Sequence, residues 1–256
     1  VHDGRVDLRG YHGASPEAVC VCQMLLTGSA GVLAEVAIGV RAVIVMVSNQ
    51  TGVEVGYMAG QYPGSIGHLY SPTAQKGPYY FLPYALDNGA WPAFKNKRDW
   101  SVEEWRELIK WAQWSGQPPL WSLVPDVVGD RTGTMERWLE YVGEVRAAGF
   151  RPAFAIQDGM TFADVPDSEC VLFLGGSTDP TDENPDKGGW KEAAIDPWCR
   201  AFPGRVHVGR VNTWDRLVMC WRAGAISIDG TGWYHHRQRA DLRKFLKETN
   251  GGKRAA

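Results

Sequence analysis

From residue 42 onward the chain repeats one pattern: a short apolar run, a polar or glycine residue, then a stretch with helical spacing. The runs fall at residues 42–47, 82–86, 120–124, 153–156, 171–174, 206–208 and 225–228. Runs that are apolar throughout, and not alternating, are the mark of strands buried on both faces, so the pattern predicts parallel strands covered by crossover helices. The intervening stretches carry helix punctuation. Ser101 followed by Glu104 forms a capping box that opens a helix toward Trp114. A second helix, from about Thr134, ends at Ala148 with Gly149 as its stop. A third covers 190–202 and is expected to kink or break near Pro197, and a fourth covers 213–223 before Gly224. This alternation predicts a (β/α)8 TIM-like barrel in one domain. A doubly wound sheet is the alternative, but no Gly-x-Gly-x-x-Gly follows the first strand.

Residues 1–40 show neither a clean strand nor a capped helix. With Val1 first and the first methionine at Met24, they read as a peripheral N-terminal segment or an upstream extension, ahead of a barrel domain at 41–256. The stretch 18–47 is apolar, but Gln23, Glu35 and Arg41 interrupt it, and Asp3 and Asp7 dilute the basic start that a secretory leader needs. No run reaches the length of about eighteen apolar residues that spans a membrane. The expectation is a cytoplasmic protein without a membrane partner.

Composition changes this picture little. Apolar residues make up 44% of the 256 and charged residues 22%, ordinary for a soluble globular domain. Five cysteines, odd in number and scattered, read as reduced thiols. Cys20-x-Cys22 lacks further ligands for zinc, so neither a metal nor a cofactor is expected. The twelve tryptophans raise carbohydrate binding, yet Trp100, Trp105, Trp111 and Trp114 lie in or beside one helix and are expected to pack the barrel. A net charge of −2 supplies no general attraction to phosphate, so a nucleic-acid partner requires a local patch. Arg237, Arg239, Arg243 and Lys244 in the C-terminal stretch are the candidates, against the plain alternative of a solvated helix face.

In a barrel the chemistry lies at the carboxyl ends of the strands. There the sequence places Asp87, Asp126, Gln157, the pair Gly175-Gly176, and Asp229. Any one aspartate at a strand end is ordinarily a turn or cap, and Asp87-Asn88-Gly89 is also a hairpin turn sequence. Asp130 and Asp158 are assigned to capping or support. His68 is placed at the mouth as a substrate contact, and His207, inside a run, is read as a satisfied core histidine.

These residues, in this order, carry a resemblance that spans roughly 42–232. Asp87-Asn-Gly-Ala-Trp91, Ile156-Gln157 with Gly159, Leu174-Gly175-Gly176, Val208-Gly209-Arg210-Val211 and Ile228-Asp229 resemble successive motifs of the tRNA-guanine transglycosylase (queuine and archaeosine) family. They are nearest to its phage and bacterial branch that inserts 7-deazaguanines into DNA. The resemblance implies that Asp229 is the nucleophile, forming a glycosyl ester as guanine leaves, and that Asp87 handles the proton. It further implies that Asp126 reads the guanine-like edge, that Gln157 and the N–H groups of Gly175 and Gly176 reach the carbonyl side, and that Trp91 stacks on the base.

Asn88 and Ala90 depart from the motif, and no cysteine follows Cys220 to build the family's zinc site. The missing zinc site, with a length too short for the insertion and RNA-docking elements of a full tRNA enzyme, favours DNA over tRNA as the polymer. The implied partners are DNA (tRNA as the alternative), a 7-deazaguanine base such as 7-cyano-7-deazaguanine, and a helper protein that opens the duplex. Two other readings stay open: a retaining barrel glycoside hydrolase, whose two carboxylates stand about 5 Å apart, and a catalytically silent nucleic-acid-binding protein.

Overall fold

The computed structural model describes residues 43–48, 53–72, 82–177, 189–234 and 236–250, without the side chains of residues 234, 236 and 237. The expected peripheral segment 1–40, Cys20, Cys22 and the Arg237 side chain lie outside the described residues. Eight strands close a parallel barrel in sequence order: β1 (Ile44–Ser48), β2 (Ile66–Tyr70), β3 (Tyr84–Leu86), β4 (Ser122–Leu123), β5 (Pro152–Ile156), β6 (Val171–Leu174), β7 (Val206–Val208) and β8 (Ser227–Gly230). Closure runs through β1 and β8, where Val45 stands opposite Ile228 and Met46 opposite Asp229. Seven helices accompany them among the described residues: α1 (Val53–Gln61), α2 (Ala90–Lys95), α3 (Val102–Trp114), α4 (Arg131–Ala147), α5 (Trp190–Ala201), α6 (Trp214–Ala223) and α7 (His236–Asn250). The fold is the TIM-like barrel that the sequence pattern predicts.

Two apolar layers hold it together. Inside the barrel, Met46, Leu69, Ala85, Trp121, Leu123, Ala153, Ala155 and Val171 form one buried cluster, with Phe173 against it. Outside, the opposite strand faces (Val45, Val47, Tyr70, Leu86, Phe154, Leu172, Leu174, Ile228) meet Met58, Trp105, Leu108, Trp138, Ile195, Trp198 and Leu217 from the helices. Burial on both faces explains why the strands read as continuous apolar runs.

The helix ends follow local chemistry. Ser101 accepts the Glu104 N–H at the start of α3. The α4 helix begins three residues before the expected Thr134, because the Asp130 side chain accepts the Gly133 N–H and caps it there. Gly149 takes a left-handed φ of 81° after the last turn of α4, as a glycine stop does. The break expected at Pro197 does not occur, and α5 runs through it as one helix. Pro197 and Ala193 both lie on the exposed side of α5. The Ala193 carbonyl that loses its partner to the proline is therefore on the side where water can satisfy it.

The tryptophan expectation holds for three of its four residues: Trp105 is fully buried and Trp100 and Trp111 pack on the same core, whereas Trp114 is 89% exposed. Leu108→Ala, emptying a site with no exposure, is expected to cost about 2–5 kcal/mol. The readout is a lower urea midpoint at unchanged slope. Trp114→Ala is expected to stay within about 0.5 kcal/mol of the parent. Equal losses from the two substitutions would contradict the placement of α3.

Candidate active site

Strand periodicity builds the mouth. Side chains that point into the barrel recur every second residue, so the position two beyond an interior residue stands at the rim. Interior Ala85, Ala155, Phe173, His207 and Ser227 are thus followed by Asp87, Gln157, Gly175, Gly209 and Asp229. Asp126, three residues past the short β4, completes the ring.

Asp229 is 7% exposed. Its Oδ1 accepts from His207 Nε2 at 3.0 Å and from the Arg210 backbone N–H at 3.3 Å. Among the described residues no hydrogen bond falls on Oδ2. His207 is fully buried between Trp121 and Phe173, whose ring centroids each lie 4.8 Å from its own. Its Nδ1 stands 2.8 Å from Ser227 Oγ. An ionised carboxylate only accepts, so this geometry assigns the proton to Nε2 and makes the Ser227 hydroxyl the donor to Nδ1. Burial pulls the His207 pKa down, although Asp229 pulls the other way, so the ring is a neutral donor. Gly209 lets the chain pass close by: a Cβ there would come within 2.8 Å of the Phe173 ring and 3.3 Å of Asp229 Oδ1. The next residue, Arg210, takes a left-handed φ of 56°, a cost accepted by a non-glycine residue in order to aim its N–H.

Lys191, on the first turn of α5, has no exposed surface and donates from Nζ to the Gly209 carbonyl at 2.9 Å. Burial, with the Arg210 charge, pulls its pKa down to about 7.

Asp126 is held from both sides. Asn88 Nδ2 donates to Oδ1 at 2.7 Å and Gln157 Nε2 to Oδ2 at 2.6 Å. The amide orientations are set in turn, since Asn88 Oδ1 accepts the Ala90 N–H and Gln157 Oε1 accepts the Gly129 N–H. Each carboxylate oxygen keeps a second lone pair for a ligand. Burial raises the Asp126 pKa while the two amides oppose the rise.

Asp87 sits at the end of β3. Burial first, then the negative charge of Asp229, push its carboxyl up to about 7, against the N–H of Gly89 at 3.3 Å.

Trp91, on α2 five residues beyond the end of β3, is 38% exposed and lies under the Arg210 guanidinium, 4.0 Å from ring centroid to Cζ. That guanidinium also donates to the carbonyls of Gly175 and Gly176. The loop therefore presents its oxygens to the arginine. Its two N–H groups, expected to reach a base, both point back to the Ile156 carbonyl, at 3.1 and 3.3 Å. Gly176 is required by crowding, because a Cβ would meet the Trp190 ring at 2.3 Å.

His68 does not join the mouth. It lies within β2 on the side shared with Ile66 and Tyr70, its Nδ1 is 2.9 Å from Tyr70 Oη, and it is 1% exposed. The α7 cations face another helix: Arg239 and Arg243 approach Glu54 of α1 at 3.8 and 2.6 Å, and Lys244 lies 4.9 Å over the Trp214 ring. Asp158 accepts the Ser177 N–H at 2.6 Å, the supporting role expected of it.

Sequence reasoning missed Asn88, Ser227 and Arg210 as site residues, did not foresee Lys191 as a buried brace of the Gly209 carbonyl, and read His207 as core. Lys191 had a signal: it shares helical spacing with apolar Ala194, Ile195 and Trp198. An apolar groove of about 330 Å³ between Met160, Phe162, Trp190 and Trp198 contains no ionisable lining residue. Among the described residues no cluster of His, Cys, Asp or Glu could hold a metal, and no helix is long and apolar enough to cross a membrane. Cys170, Cys199 and Cys220 are buried free thiols.

No family model and no curated relative matches the chain. Solved structures that resemble it include two mutant tryptophan synthase α-subunits from the hyperthermophile Pyrococcus furiosus, at 14% and 15% identity. Each has a TM-score of 0.48 and covers 82% of this chain and 98% of its own. A protein described as a fructose-1,6-biphosphate aldolase from Coccidioides immitis is similar at 11% identity and TM-score 0.44, over 82% of this chain and 87% of that one. Likenesses of this size carry no argument about chemistry.

The Asp87 environment has a consequence for stability. Its carboxyl titrates near 3.8 in an unfolded chain and near 7 here, so the folded state binds more protons between those values. The contribution is fully present below about pH 4 and is lost as pH rises through 7. Lys191, lowered from 10.5 to about 7, contributes stability above the unfolded value that is lost as pH falls through about 7. Subtracting Asp87→Asn from the parent isolates the aspartate. Urea unfolding at a series of pH values should show the parent losing stability relative to Asp87→Asn between about pH 4 and 7, then levelling. A difference that does not change with pH would refute the raised pKa.

Proposed function

We propose that this protein is a base-exchanging transglycosylase that replaces guanine in DNA with a 7-deazaguanine. The observation that carries the reading is the pairing of Asp229 with Asp87. Asp229 is fixed through Oδ1, with no hydrogen bond from the described residues on Oδ2, beside a carboxyl held near pKa 7 by burial and by the Asp229 charge. The likeness to the transglycosylase motifs supports the same roles.

Asp229 Oδ2 attacks C1′ of the target nucleoside, and the C1′–N9 electron pair leaves with guanine. Protonated Asp87 gives its proton to the departing base and becomes a carboxylate. It then takes the N9 proton of the incoming 7-deazaguanine as that nitrogen attacks C1′ and the ester bond breaks back onto Asp229. Two displacements retain configuration, and the proton count closes with Asp87 as it began. Neutral His207 and the Arg210 N–H hold the carboxylate while it is ester and when it leaves.

Asp126, braced by Asn88 and Gln157, accepts from the ring N–H and exocyclic amine of a guanine-type edge. Adenine offers no such donor pair and leaves the buried carboxylate unmet. Gln157 is thereby a brace in addition to any contact of its own. A glycoside hydrolase reading accounts for two carboxylates but gives this braced acceptor no task.

The test is release of radiolabelled guanine from DNA and from tRNA in the presence of 7-cyano-7-deazaguanine. DNA-dependent release is expected, falling to background in Asp229→Asn and by about 100- to 10,000-fold in Asp87→Asn. Undiminished release by Asp229→Asn would exclude the covalent step, and release from tRNA alone would reassign the polymer.

A further inference from the structure

The polymer has to lie across the mouth if the proposed exchange is right, and the C-terminal basic stretch is poorly placed for it, since Arg239 and Arg243 face Glu54. A different surface carries the features that a strand requires. Helix α2 leaves β3 only three residues after Asp87, so it forms part of the rim. It holds Trp91 toward Arg210 and, one turn on, Phe94, whose ring centroid lies 5.9 Å from that of Trp91 with the planes tilted by 30°. Phe94 is 59% exposed, against 38% for Trp91, so the two rings step outward from mouth to solvent.

Phe94 is followed at once by Lys95 and Lys97, both exposed, and by Arg98, which approaches Glu104 at 3.6 Å. Lys97 closes the helix in a left-handed conformation with φ 51°, its N–H on the Phe94 carbonyl. Single exposed aromatics are ordinary on protein surfaces. Two successive rings leading out of a carboxylate-lined mouth, flanked by lysines on a chain of net charge −2, match the way proteins hold unpaired strands: stacking platforms beside cations that follow the backbone.

We infer that the α2 rim is a docking track for single-stranded DNA, on which Phe94 stacks the base next to the target nucleotide and Lys95 and Lys97 meet the adjoining phosphates. This rests on the proposed function for the identity of the occupant. It assigns Trp91 to the target base and Phe94 to its neighbour. It also implies that duplex DNA is opened before it reaches the mouth, because a paired base cannot present its face to either ring.

The experiment uses the whole chain and a fluorescein-labelled twelve-nucleotide DNA strand, thymine except for one central guanine, with binding followed by anisotropy across a salt series. Phe94→Ala is expected to weaken binding about 5- to 150-fold, the usual range for one lost base stack. The double variant Lys95→Glu/Lys97→Glu is expected to flatten the dependence of log K on log salt by about 0.7 per lysine. Lys247→Glu, on the exposed side of α7, serves as the control and should bind as the parent does. Thermal midpoints check that the exposed substitutions leave the fold intact.

Guanine release from the same strand, run in parallel, separates the two readings. Weakened binding in the α2 variants without guanine release by the parent supports the track and removes the exchange reaction. Guanine release by the parent with parental affinity in both α2 variants removes the track and leaves the reaction standing. Absence of strand binding by the parent, or tighter binding of the RNA strand of the same sequence, overturns the inference.

Discussion

The hydrogen bond from His207 to Asp229 is the constraint on which the rest of the mouth depends. It joins the packed interior of the barrel to its chemical rim. The imidazole is clamped between Trp121 and Phe173 and anchored by Ser227. Its Nε2–H therefore points in one direction, and the Asp229 carboxylate is oriented by the barrel's own packing. The 209–210 turn completes the hold, with Gly209 allowing the approach and Arg210 giving its backbone N–H. Lys191 secures that turn from beneath through the Gly209 carbonyl.

Electrostatics follow from this placement. Asp87, Asp126 and Asp229 share this rim, where burial raises the pKa of Asp87 and of Asp126 and the Asp229 charge raises that of Asp87 further. The structure meets each differently. Among the described residues, Asp126 receives two amide donors, Asp229 a neutral imidazole and a backbone N–H, and Asp87 only backbone N–H groups, those of Gly89 and Asn88. Asp87 accordingly carries the strain of the cluster as a pKa near 7. On the proposed function, that raised pKa suits Asp87 to moving a proton. Arg210 ties the opposite side of the mouth together by bridging the Gly175 and Gly176 carbonyls to the Trp91 face.

Much of this was legible in the sequence because barrel strands are short, apolar and end in functional residues. Seven strands, the caps at Ser101 and Gly149, and the positions of Asp87, Asp126, Gln157 and Asp229 follow from that grammar. β2 was not legible: Gly67 and His68 interrupt its apolar run, and only the neighbouring strands restore it. His68 then fell on the helix-facing side, which no single-strand pattern without a register could fix. The N–H groups of Gly175 and Gly176 were lost to Ile156 by the tightness of the β6 turn, a backbone detail beneath the reach of residue type. His207 looked like core and is core; its role appears only when the β7 to β8 register sets it opposite Ser227, two residues below Asp229. The cations of α7 were read as a phosphate patch because Glu54, far off in sequence, is invisible to local charge counting.

On the proposed function, Asp229 becomes covalently bound to the sugar during turnover. Acid quenching of the protein with guanine-containing DNA, in the absence of an incoming base, followed by nuclease and peptide mass spectrometry, tests it directly. The predicted result is a deoxyribosyl adduct on the peptide containing Asp229, absent from Asp229→Asn. Base exchange in the absence of any such adduct, or an adduct on Asp87 or Asp126 in its place, would contradict it.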